Sequence, residues 1–142
     1  MATQYTNAEK EIGIDITYEY LEVVQGFPHS KTDDSYHNHF RITLTTEAGR
    51  IAQDYYGSAH DYEHGKKTLT DDDLKGALRC IVDDALYGQM DFEEFCGELG
   101  YDEDSRNAEK IHKACIKTSE ELQSIGIGGD DLYTIVNDLS EF

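Results

Sequence analysis

Four histidines and a handful of paired carboxylates are the residues whose types and spacing could do chemistry. His37 and His39 stand two apart and would share one face of a strand. His60 and His64 stand four apart in His60-Asp61-Tyr62-Glu63-His64 and would share one face of a helical turn. Imidazoles held in this way ligate zinc, which asks for three or four such groups in a tetrahedron. Asp61 stands where a zinc-protease motif carries Glu, and Gly57 and Gly65 make the segment a loop rather than a helix. Solvated loop histidines are the first reading, and a metal-binding module is the weaker one. Glu93 with Glu94, and Asp83 with Asp84, could act as acid and base, but in a chain with 30 acids such pairs arise by chance. Asp102-Glu103-Asp104-Ser105-Arg106-Asn107 begins like a calcium loop. Arg106 and Asn107 then occupy the positions that need an oxygen ligand and a glycine. No nucleophile elbow, phosphate-cradling loop or cysteine–histidine signature occurs. The residues argue against an enzyme and name no cofactor.

Charge is the more informative property. Thirty acids against 12 bases give −18 over 142 residues. Such an excess destabilises a folded domain through self-repulsion, so it serves either solubility or binding. Residues 1–69 carry 11 acids and 6 bases, and residues 70–142 carry 19 acids and 6 bases. The C-terminal half therefore holds most of the excess. Direct nucleic-acid binding is disfavoured, since no basic stripe occurs, and an anionic membrane surface would repel the chain. No apolar run approaches the ~20 residues of a membrane span, and Met1 to Tyr5 has no secretory character. Cys80, Cys96 and Cys115 are too widely spaced for a metal motif and odd in number. Buried free thiols in a reducing cytosol are expected for all three.

These residues must be positioned by strands first and helices after. Ile12, Ile14, Ile16, Tyr18 and Tyr20 alternate with polar residues, and the phase shifts at Leu21 and Val23, which fits a bulge or a twist. Phe40, Ile42 and Leu44 mark a second strand, and Arg50 to Tyr56 a third, joined by a turn at Glu47-Ala48-Gly49. Gly57 to Lys67 reads as a loop. Thr70 caps a helix whose apolar positions run from Leu74 to Leu86, closed by Gly88. Asp91 caps a short helix from Phe92 to Leu99, ended by Gly100. Ser105 caps a longer one through Ala108, Ile111, Cys115, Thr118, Leu122 and Ile125. Gly126, Gly128 and Gly129 separate a last amphipathic segment, Asp130 to Phe142. The expectation is one α+β domain over 1–142, with about three antiparallel strands packed against three to four helices. Residues 1–69 are mainly strands, 70–125 are helical, and 126–142 form a C-terminal helix that could move or dock on a partner.

The stretch from Asp91 through Phe92-Glu93-Glu94-Phe95-Cys96, Gly100-Tyr101-Asp102-Glu103-Asp104-Ser105-Arg106 and Ala108-Glu109-Lys110-Ile111 to Cys115 resembles a segment of many small acidic phage and prophage proteins. The likeness covers about residues 74–122 and is looser over 38–57. It implies a scaffold rather than an enzyme, and no catalytic residue carries over. In the motif, Phe92, Phe95 and Leu99 would pack the short helix and Tyr101 would anchor its turn. The resemblance also implies a mobile genetic element in a bacterial cytoplasm, where such proteins are similar to inhibitors of host defence, including anti-CRISPR and anti-restriction proteins.

Carboxylates on rigid helices can approximate the phosphate row of DNA. The expected function is therefore a non-enzymatic inhibitor of a basic, nucleic-acid-binding host protein, a CRISPR effector or restriction enzyme. Contact is expected through Asp71, Asp72, Asp73, Asp83, Asp84, Glu93, Glu94, Asp102, Glu103 and Asp104. Tyr55, Tyr56 and Tyr62 would serve as aromatic anchors. The expected state is monomer or homodimer. The alternative is a phage accessory or assembly protein whose acidity serves solubility.

Overall fold

The computed structural model describes residues 3–26, 34–59 and 67–142. Four strands form an antiparallel meander in the order β1 (Thr3–Asn7), β2 (Ile12–Gln25), β3 (Tyr36–Thr46) and β4 (Gly49–Ala59). Four helices follow: α1 (Asp71–Gly88), α2 (Phe92–Leu99), α3 (Arg106–Ser124) and α4 (Asp130–Asp138). The α+β architecture is the expected one, with four strands rather than three. The added strand is β1, where Gln4, Thr6 and Asn7 hide the alternation. Thr3 and Tyr5 are buried there by distant partners: Thr3 Oγ1 donates to Asp71 (2.5 Å) and the Tyr5 hydroxyl to Asp138 (2.6 Å).

Alternation sets the faces of the sheet. Ile14, Ile16, Phe40, Ile42 and Leu44 point inward and are almost fully buried. The register of β2 on β3 shifts between Tyr20 and Glu22, so Leu21 is an extra residue and, of the bulge and twist the phase shift allowed, the strand has the bulge. β4 runs on to Ala59, past the tyrosines where the loop was expected.

Helices cover the inner face. α1 contributes Leu74, Ala77, Leu78, Ile81, Val82 and Ala85, all at helical spacing. Its N-terminus is a capping box, in which Thr70 accepts from Asp73 N–H and the Asp73 carboxylate accepts from Thr70 N–H. α3 adds Leu122, and its end is tied to the sheet where Thr46 Oγ1 donates to Ile125 O (2.7 Å). α4 ends at Asp138 instead of running to Phe142, and it is seated on this same core through Leu132, Ile135 and Leu139. The Arg79 guanidinium donates to the carbonyls of Ser140 (3.0 Å) and Phe142 (2.9 Å), holding the segment beyond it.

A second, smaller core lies between α2, the N-terminal half of α3 and the end of α1. Phe95, Cys96, Ala108 and Cys115 are its buried members, with Tyr87, Met90, Phe92 and Ile111 packed against them. Gly88 lets the two cores meet. A Cβ there would lie 2.2 Å from the carbonyl oxygen of Cys115, so only glycine permits α1 to close on α3. No helix among the described residues is long and apolar enough to cross a membrane.

Candidate functional site

Net charge is densest at one element, although α4 and the residues after it also carry four carboxylates (Asp130, Asp131, Asp138 and Glu141) and no base. Residues 89–105, comprising α2 and the turns on either side, carry seven carboxylates and no basic residue. Asp91, Glu93, Glu94, Glu98, Asp102, Glu103 and Asp104 are all exposed. By contrast, α3 holds four bases (Arg106, Lys110, Lys113 and Lys117) against three acids, and a Glu109–Lys113 pair at 3.2 Å. The helical half is therefore not a single-sign face. Its negative field is densest at the α2 lobe.

Local chemistry holds the lobe in shape. Asp91 accepts from Glu94 N–H (2.8 Å), and Gly100 ends α2 in the left-handed conformation at φ 74°. Ser105 then accepts from Ala108 N–H (3.1 Å) to start α3. The Phe95 ring is fully buried at the centre, with Tyr87, Phe92, Tyr101 and His112 around it at 4.8 to 6.5 Å between centroids. His112, which sequence reasoning did not single out, is buried there and its Nε2 donates to Met90 O (2.8 Å). Its signal was its place one residue after Ile111, within the buried arc of α3.

One expectation for this region changes. Leu99 keeps 38% of its surface in water instead of packing the short helix, because α2 has only α3 and the end of α1 to pack on. Tyr101 stacks on Phe95 but remains 37% exposed. The lobe thus displays two large apolar groups among its carboxylates.

The remaining carboxylates singled out from sequence lie elsewhere. Asp71, Asp72 and Asp73 crowd the start of α1, where Asp71 accepts from Thr3 and Asp73 closes the capping box. Asp83 and Asp84 lie about 18 Å farther along that helix at 1.5 Å per residue. Asp83 is half-buried, with Arg79 Nε 3.8 Å away. Crowding by the surrounding chain, and then the Asp83 charge, raises the Asp84 carboxyl to about 6, although its side chain reaches solvent. Of the ten carboxylates, Glu93, Glu94, Asp102, Glu103 and Asp104 belong to the α2 helix and its following turn.

The tyrosines do not form one anchor. Tyr55 points inward beside Phe40, and burial raises its hydroxyl pKa. Tyr56, its neighbour on β4, belongs to the outer face. Tyr62, His60 and His64 lie outside the described residues. His37 and His39 share the outer face of β3, as their spacing requires. The His39 ring stacks on Tyr56 (4.6 Å) and its Nε2 lies 2.9 Å from Asp54. Among the described residues, no group of three or more His, Cys, Asp or Glu is placed to hold a metal ion.

Cys96 and Cys115 are buried, as expected, but Cys80 is exposed. Its position falls opposite the apolar stripe of α1. Partial burial of the sulfur, then the Asp84 and Asp83 charges, raises its pKa and disfavours the nucleophilic thiolate. No protein family, curated protein or solved structure matches this chain.

Proposed function

We propose that this protein is a non-enzymatic inhibitor that offers the α2 lobe to the nucleic-acid-binding surface of a basic host protein. A phage-encoded origin, a bacterial cytoplasm and a CRISPR effector as the target complete the reading. The observation that carries it is the run of seven exposed carboxylates, with no base among them, on a capped helix and its flanking turns. Such a surface can take the place of phosphates in a basic groove and gain the same counterion release. Leu99 and Tyr101 would add apolar contact that a phosphate backbone does not supply.

The test is capture of the tagged protein from lysate of a host carrying its own defence systems, with elution by salt or by competing duplex DNA. Recovery of a CRISPR or restriction component released by both supports the reading. Replacing Glu93, Glu94, Glu98, Asp102, Glu103 and Asp104 with their amides should abolish that capture and leave thermal stability unchanged or raised. A complex insensitive to salt, to DNA and to these replacements would overturn the mimicry, and recovery of phage proteins alone would replace it with an accessory role.

A further inference from the structure

The two edges of the sheet are built differently. β1 has five residues and is pinned through side chains by Asp71 and Asp138. β4 has 11 residues, pairs with β3 in unbroken register from Gly49 to Ala59, and contains neither proline nor lysine. Among the described residues, no strand pairs with its other side. Edge strands normally carry proline, bulges or charged side chains because an open row of N–H and C=O groups templates another strand; β4 carries one charge of each sign, Arg50 and Asp54.

We infer that β4 pairs antiparallel with β4 of a second copy of this chain, about a two-fold axis at Ala52, to make one eight-stranded sheet. Directly opposed residues of antiparallel strands share a face, so the axis passes through a residue. Charge then selects which one. An axis at Arg50 opposes two arginines, and an axis at Asp54 opposes two aspartates. The axis at Ala52 sets Arg50 against the partner's Asp54 twice, on the outer face. On the inner face it lays Tyr55 over the partner's Gly49, the pairing in which an aromatic ring covers a strand glycine.

The helices agree with this arrangement. A two-fold axis normal to the sheet puts both helical layers on one side and brings the β4-flanking helices together. α3 is that helix, joined to β4 by the Gln53–Glu121 hydrogen bond.

Sedimentation of the whole chain across micromolar concentrations should show twice the mass of one chain. Arg50→Asp should weaken the dimer by about tenfold, because two cross-strand attractions become repulsions, and Arg50→Asp with Asp54→Arg should restore it. In a Cys80→Ser background, Ala52→Cys sits on the axis facing its own copy and should oxidise to a covalent dimer. Thr17→Cys, exposed on the outer face of β2, should not. Circular dichroism confirms that each variant is folded. A monomer at every concentration overturns the inference, as does a dimer indifferent to Arg50→Asp or trapped equally through Thr17→Cys.

Discussion

The two cores of this molecule divide labour. Among the described residues, the larger one gathers 19 buried residues, nearly all aliphatic, from the strands and from α1, α3 and α4. The smaller has four, the Phe95 ring with Cys96, Ala108 and Cys115 about it, and a buried histidine beside them. Yet the smaller core supports seven carboxylates and the larger one holds the sheet. Self-repulsion is thus placed where little of the fold depends on it, and a surface built for binding can be altered with small effect on the whole.

Equal truncations in the two cores give the strongest test of this division. Phe40→Ala should cost about 3–5 kcal/mol of global stability by denaturant unfolding. Phe95→Ala removes the same side chain, but its loss is limited to the free energy that docks α2. It should cost less, and hydrogen exchange should show α2 amides unprotected while β2 and β3 amides stay protected. Equal losses at both sites would mean that the cores unfold as one. Gly88→Ala attacks their junction, where its methyl meets the Cys115 carbonyl, and should cost about 1–3 kcal/mol.

Smaller effects sharpen the comparison. The Asp84 carboxyl is raised from 3.8 to about 6, so the folded chain holds its proton more tightly than the unfolded one. Stability should therefore fall as pH rises from about 4 to about 6, and Asp84→Asn should remove that slope. Solvent access limits the effect to about 1 kcal/mol. Asp91→Ala removes the cap of α2 and should cost about 0.5–1 kcal/mol, seen as faster exchange in the first turn of that helix alone.

Local pattern made most elements legible. Alternation placed β2 and β3, and capping residues fixed the starts of α1, α2 and α3. β1 was not legible, because the burial of Thr3 and Tyr5 depends on α1 and α4. The exposure of Cys80 was legible from the phase of α1, which turns that position away from Leu74, Leu78 and Ile81. Leu99 is the converse: it shares the apolar phase of Phe92 and Phe95, and only the lack of a facing element exposes it. For the site, the two halves of the chain gave the sign of the charge but not its seat. Counting by element separates the α2 lobe from α3, and helix rise separates Asp71–Asp73 from Asp83 and Asp84, whereas the packing of His112 against Phe95 and Met90 needed three dimensions.

Tyr5 and Asp138, joined by a hydrogen bond, are 133 residues apart in the chain. A ribosome adds about 5–20 residues per second, so β1 leaves it roughly 7 to 27 s before α4 exists to receive it. For that interval water accepts the Tyr5 hydroxyl hydrogen bond, and the last helix to be made latches the first strand.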